Sequence, residues 1–212
     1  NISQIYKKTW EKLNISYTKF IRTTEKQHQE VVKSIFNKLY ENGDIYKGQY
    51  EGYYCIYCES YVIPNDEKNP ICPDCQRVVE KISETSYFFK LSSYSEKILK
   101  YIEENKFIKP YFREKEITNF IKEGLHDLCI TRKNVKWGIP CPIDENYTIY
   151  VWFDALLNYL SGVGYLYDNN TFEKYWPVDV QLIGKDIMRF HNIIWPAILM
   201  SLQLPLPKTI FA

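Results

Sequence analysis

Apolar residues recur at helical spacing over Val31, Val32, Ile35, Phe36 and Leu39, with Tyr40 beside them and polar residues in the gaps. This predicts an amphipathic helix. Thr23 and Thr24 precede it, with Glu25, Lys26 and Gln27 next, the pattern of a Thr cap backed by Glu or Gln in the first turn. Asn42-Gly43-Asp44 predicts its end through a left-handed residue. Shorter helical patterns cover Gln4 to Lys12, Ser95 to Glu104 and Glu114 to Glu123. Tyr46 to Tyr54 alternates loosely with Gly and predicts a strand pair leading into a group of cysteines. Ser83 to Phe89 predicts a short aromatic strand. Tyr147 to Phe153 is apolar almost throughout, as expected of a strand buried on both faces of a parallel sheet. Leu156 to Val163 predicts a helix after it. Val178 to Ile183 is strand-like, and Ile210-Phe211-Ala212 reads as an unfinished strand.

Helix and buried-strand signals thus lie at the two ends of the chain, and the middle is short, irregular and Cys-bearing. The expected fold class is α/β, a doubly wound parallel sheet interrupted by an inserted module between about Tyr46 and Tyr147.

Charge narrows the function classes. Lys and Arg number 27 against 26 Asp and Glu, which argues against a surface that is one nucleic-acid footprint. No apolar run reaches membrane-spanning length and no secretory leader opens the chain, so the expectation is a cytoplasmic protein with no membrane and no obligate protein partner. Six cysteines in that setting favour metal binding over disulfides. Cys55-Ile56-Tyr57-Cys58 and Cys72-Pro73-Asp74-Cys75 are two CxxC pairs. Two such knuckles supply a closed set of four thiolates, suited to a structural zinc and leaving no open position for catalysis. Cys129 and Cys141 lack partners at ligand spacing and are expected to be packing residues.

The stretch Ile183 to Trp195 carries the other candidate chemistry. Asp186 is a good N-cap residue. On a helix begun there, Ile187, His191 and Trp195 are four apart and share a face. An apolar residue, an imidazole and an indole on one face can line a pocket, or can equally be a core face with a satisfied histidine. Gly184 would let a ligand approach the backbone at the helix start.

Four segments stand together: Phe20-Ile21-Arg22-Thr23-Thr24 with His28; Tyr53-Tyr54-Cys55 with its knuckle partners; Val151-Trp152-Phe153-Asp154-Ala155-Leu156-Leu157-Asn158-Tyr159; and Ile183 to Trp195. In this order they resemble the methionyl-tRNA synthetases, class I aminoacyl-tRNA synthetases of the bacterial, single-knuckle branch. Glu41-Asn42-Gly43-Asp44-Ile45-Tyr46, Tyr87-Phe88-Phe89-Lys90-Leu91 and Trp137-Gly138-Ile139-Pro140 support the resemblance. It implies a Rossmann-type catalytic domain split by a connective-peptide insertion bearing the zinc knuckle at Cys55, Cys58, Cys72 and Cys75. Residues 1–46 would end the first half of that domain, 47–146 would be the insertion, and 147–212 an incomplete second half. The resemblance also implies ATP- and Mg²⁺-dependent activation of L-methionine to methionyl-adenylate and transfer to tRNA(Met). Trp152, Ala155, Leu156, Tyr159, Ile187 and His191 would surround the methionine side chain, with Trp195 nearby. Gly184, Lys185 and Asp186 would meet ATP, and Arg132 the methionine or ATP end.

A thioether is apolar and polarizable, so aromatic faces suit it, and a Tyr hydroxyl or imidazole N–H near sulfur would add a weak polar test. The family's two phosphate-binding signatures, His-Ile-Gly-His and Lys-Met-Ser-Lys-Ser, do not occur in these 212 residues. The expectation is therefore that no catalytic residue lies here and that this segment alone does not form adenylate. Thr18 stands where the family usually has Asp, and Gln76 where Gly is common. Two rival readings are another class I synthetase and a non-enzymatic zinc-ribbon module that binds nucleic acid. An imidazole argues against the first for an aliphatic substrate. The acidity of the knuckle stretch (Glu59, Asp66, Glu67 and Asp74 against Lys68) argues against the second.

Overall fold

The computed structural model describes residues 2–58, 60–62, 66, 69–73, 75–133, 135 and 137–212. Glu59, Glu67, Lys68 and Asp74, which enter the charge argument above, lie outside them. Helix α1 (Ile2–Lys12) precedes α2 (Lys26–Glu41). Val31, Val32, Ile35, Phe36 and Leu39 of α2 are all buried, as their spacing demands, while Tyr40 turns outward. The cap differs from expectation. Glu25 holds the N-cap position, and no side chain caps the helix. Glu25 Oε1 instead accepts from the Arg22 N–H at 3.0 Å, closing the preceding turn. Gly43, at φ 78°, ends α2 in the left-handed region, as predicted.

The Tyr46–Tyr54 segment is one long strand, not a strand pair. β1 (Ile45–Cys55) pairs with β2 (Ser60–Val62) at its far end and with β3 (Glu80–Phe89) along its length. The antiparallel β1–β3 register runs from Ile45↔Phe89 to Tyr54↔Glu80. Gly48 explains the loose alternation. A Cβ there would stand 3.1 Å from the Tyr46 ring and 3.3 Å from the Phe88 ring, and those two rings stack at 5.6 Å.

Helix α3 (Ser95–Asn105), strand β4 (Ile108–Lys109) and helix α4 (Tyr111–Lys122) follow. Then come β5 (Leu128–Cys129), which extends the antiparallel sheet to the order β2-β1-β3-β5, and β6 (Thr131–Lys133), which pairs antiparallel with β7 (Tyr147–Ile149). The expectation of a buried parallel strand over Tyr147–Phe153 is overturned. The strand stops at Ile149, and helix α5 (Val151–Leu156) begins after an extended Tyr150. Phe153, Leu156, Leu157 and Leu160 are buried at helical spacing. The apolar run is thus a strand followed directly by a helix, each buried, and continuous apolarity alone does not separate the two. Helix α6 (Asn158–Ser161) continues the path after a break at Leu157.

The parallel sheet is made by three short strands. With α7 (Asn169–Tyr175) and α8 (Trp195–Ser201) around them, β8 (Gln181–Leu182), β9 (Ile210–Phe211) and β4 pair in the order β4-β9-β8. Ile210 aligns with both Ile108 and Gln181. This sheet therefore draws one strand from within the 47–146 segment. One large core joins α2, β3, α3, α4, α5 and α8, and a small second cluster of Cys55, Val62, Cys72 and Val79 sits at the knuckle. No helix among the described residues is long and apolar enough to cross a membrane.

Candidate functional site

The knuckle brings its four cysteines together. Their sulfurs all lie within 4.8 Å of one another, with Cys55–Cys75 at 3.5 Å and Cys58–Cys72 at 3.9 Å. A tetrahedral zinc with bonds of about 2.3 Å needs sulfurs about 3.8 Å apart, whereas a disulfide needs about 2 Å. The residues fit the metal and exclude either bond. Burial and the neighbouring thiols push the Cys58 thiol far above its ordinary range, because crowded sulfurs ionise together only beside a cation. The Cys58 N–H points at Cys55 Sγ, the usual backbone support for a ligand thiolate. Gln76, just past Cys75, takes the left-handed conformation at φ 59°. A side chain is strained there by about 1–2 kcal/mol, which explains why Gly suits the position.

The segment before α8 departs from regular helix. Gly184 occupies the N-cap place with extended backbone, Lys185–Ile187 form one tight 3₁₀ turn, and Asp186 makes no capping bond. The expected Asp186 cap is therefore replaced by a side-chain-free start, which leaves Gly184, Lys185 and Asp186 exposed. Phe190–Ile194 then form a wide π turn, a distortion common at functional sites.

That turn sets the environment of His191, which is 3 % exposed. Nδ1 lies 3.0 Å from the Ile187 carbonyl, which can only accept, so Nδ1 carries the proton. Burial holds the imidazole below its usual pKa and therefore neutral. Nε2 then accepts from the Tyr159 hydroxyl at 2.8 Å. Burial likewise raises the Tyr159 pKa, keeping that hydroxyl protonated. Both protons expected to test a sulfur atom are thus committed within the protein, and the Tyr159 lone pairs remain. Trp195 packs on Tyr159 at 5.7 Å and edge-on to Trp176 at 5.9 Å. Both Trp195 and Leu156 are fully buried, so they support the site from the core.

Trp152 is half-buried and stacks face to face on Phe190, with ring centroids 3.9 Å apart and planes 14° apart. On the Trp152 side, Ala155, Val151, Tyr57 and Cys58 line a cleft of about 410 Å³. On the Phe190 side lies a larger cleft of about 620 Å³. Arg132, Lys185 and Arg189 line it with Glu116, Asp127 and Asp186, a mixed-sign lining that suits a ligand carrying both charges. Contacts group the sequence-predicted residues as Tyr159–His191–Trp195, Trp152–Ala155 and Arg132–Lys185–Asp186, and Phe190, next to His191 in the chain and stacked on Trp152, links the first two.

Arg132 is held firmly. Its Nη1 donates to the Thr131 carbonyl at 2.9 Å, and its guanidinium lies 4.2 Å from the Tyr150 ring centre and 5.2 Å from that of Tyr54. His28 supports the site from beneath. Its Nε2–H donates to Asp154 Oδ1 at 2.5 Å, and Nδ1 pairs with the Ser161 hydroxyl at 2.7 Å. The sequence motifs contain Phe190, Tyr54 and Asp154 without roles, and Tyr150 falls one residue before the Val151–Tyr159 segment. Of these, Phe190 was accessible, since it neighbours His191 on a helix start. Cys129 and Cys141 are buried, as expected of packing residues.

An interrupted α/β sheet, a four-thiolate knuckle and an aromatic site at a distorted helix start define a class that sequence comparison identifies. The profile of the tRNA synthetases class I (M) matches residues 1–81 and 60–212, and the chain belongs to that family. More particularly, it is 54 % identical over 207 residues to the methionine–tRNA ligase of Caldanaerobacter subterraneus subsp. tengcongensis, covering 97 % of this chain and 32 % of that protein. The enzyme of the same name from Thermotoga maritima is 47 % identical over 217 residues, covering 100 % of this chain and 34 % of the relative. The structure of Mycobacterium tuberculosis methionyl-tRNA synthetase bound by methionyl-adenylate superposes with a TM-score of 0.92 at 39 % identity. That match covers 99 % of this chain and 43 % of the mycobacterial one. The chain thus spans about a third of the length of these curated relatives.

Proposed function

We propose that the full-length protein is a methionine–tRNA ligase, and that these residues recognise its amino acid and part of its ATP. In that reading the methionine carboxylate attacks the α-phosphate of Mg²⁺-bound ATP in line and pyrophosphate leaves. The methionyl group then passes from the adenylate to the terminal adenosine of tRNA(Met). Catalysis of this kind is mainly positioning and charge stabilisation. We assign no catalytic group to the 212 residues.

The observation that carries the reading is the neutral aromatic enclosure at His191. With Nδ1–H donating to Ile187 and Nε2 accepting from Tyr159, the imidazole offers a polarizable ring without charge. Trp152, Ala155, Tyr159 and Ile187 complete a surface suited to a thioether, with Leu156 and Trp195 behind it. The exposed Gly184–Asp186 turn is suited to the ATP ribose, and Lys185 and Arg132 to the ionic ends of ATP or methionine. Residues 47–146 carry the insertion between 1–46 and 147–212, together with β4, which joins the parallel sheet. Zinc held by Cys55, Cys58, Cys72 and Cys75 would supply a structural cross-link and no reacting position.

Methionine-dependent ATP–pyrophosphate exchange by the full-length protein, with leucine, isoleucine, valine and cysteine in parallel, tests the reading. Exchange with methionine far above the others is expected. Preference for any other amino acid would overturn it in favour of another class I synthetase.

A further inference from the structure

Two parts of the molecule that the proposed reaction treats separately meet at one side chain. Tyr54 stands one residue before the ligand Cys55, at the end of β1. Its ring centre lies 5.2 Å from the Arg132 guanidinium, and its hydroxyl accepts from Arg132 Nε at 3.4 Å. Tyr150, the residue from which α5 starts, meets the same guanidinium at 4.2 Å. The Thr131 and Cys129 carbonyls accept from Nη1 at 2.9 and 3.4 Å. An arginine side chain otherwise samples many rotamers, and flanking rings with fixed acceptors remove that freedom. Here one ring belongs to the knuckle strand and the other to the start of the Trp152 helix.

We propose that Tyr54 is a positioning residue that sets the direction of the Arg132 guanidinium and so ties the cysteine knuckle to the substrate end of the larger cleft. The proposal rests on the assignment of Arg132 to methionine or ATP. Tyr54 itself touches no substrate. Its ring carries the effect, because a bond of 3.4 Å from Nε is long and contributes little.

The test uses the full-length protein with Tyr54→Leu, Tyr54→Phe, Arg132→Ala and the double variant Tyr54→Leu/Arg132→Ala, assayed by ATP–pyrophosphate exchange with both substrates varied. Arg132→Ala is expected to raise KM for methionine or for ATP. Tyr54→Leu is expected to raise the same constant roughly 2- to 30-fold, the range of a cation–π contact. Tyr54→Phe should stay near wild type, and the double variant should match Arg132→Ala alone. An unchanged Tyr54→Leu, or losses that multiply in the double variant, would overturn the proposal and leave Arg132 as a substrate contact. An unchanged Arg132→Ala would instead remove the assignment of Arg132, and the proposal with it. Should Tyr54→Leu also disturb the knuckle, a crystal structure of that variant decides: a new Arg132 rotamer supports the proposal, and the wild-type rotamer overturns it.

Discussion

His28 and Asp154 are 126 residues apart in sequence, yet Nε2 and Oδ1 stand 2.5 Å apart beneath the candidate site. The bond fastens α2 to the helix that carries Trp152. His28 is fully enclosed and the Asp154 side chain is 13 % exposed, so solvent screens the pair only weakly. Asp154→Asn or His28→Ala should each lower stability by about 1.5–3 kcal/mol, the contribution of a hydrogen bond to a charged group. Urea unfolding of the full-length variants checks this. A loss within 0.5 kcal/mol of zero would show that the contact contributes nothing measurable.

His191→Ala in the full-length enzyme should raise KM for methionine about tenfold or more and change KM for ATP far less. The imidazole borders the aromatic group and not the mixed-sign cleft. Equal losses for both substrates would remove His191 from the side-chain pocket.

His191 also predicts a pH dependence. Burial holds its folded pKa below the unfolded value near 6.5. The unfolded chain then binds the proton more readily, so this residue's contribution is intact above about pH 6.5 and declines as pH falls toward the folded pKa. Wild-type protein should therefore lose more stability between pH 7.5 and 5 than His191→Gln. Parallel melting-temperature curves for the two proteins across that range would refute the assignment of a neutral buried imidazole.

Zinc removal should loosen the knuckle, because among the described residues its separate core is Cys55, Val62, Cys72 and Val79 with Tyr53, Cys58 and Cys75 packed on it, and four of these seven are the metal-binding cysteines themselves. Chelation of the full-length protein should expose the segment around residues 55–79 to limited proteolysis, and elemental analysis before chelation should find about one zinc per chain. An unchanged cleavage pattern after complete metal loss would argue against a structural role.

Local patterns carried much of this picture. The spacing of Val31 to Leu39 is sufficient for α2, and two CxxC pairs for the thiolate cluster, because each element's periodicity or ligand spacing is local. Tyr147–Phe153 misled because strand and helix there are both fully buried, which erases the polar positions that separate period 2 from period 3.6. The Asp186 cap failed because the turn starts earlier, with Gly184 at its N-cap, which puts Asp186 inside the turn. The contacts of Arg132 with Tyr54 and of Trp152 with Phe190 join residues 78 and 38 positions apart. No pattern along the chain records such contacts.

The β1–β3 ribbon has a mechanical consequence. β5 flanks it at its root, at Phe88 and Phe89, and β2 only at its tip. Between them, among the described residues, the pairing is two-stranded, a beam with the cysteine cluster as its end load. A beam fixed at one end turns a slight change of twist at its base into a large swing at its tip. The Tyr147 hydroxyl braces the ribbon at the Thr85 carbonyl, and the Arg132 contact with Tyr54 adds a support close to the load, where a cation against a ring damps the swing.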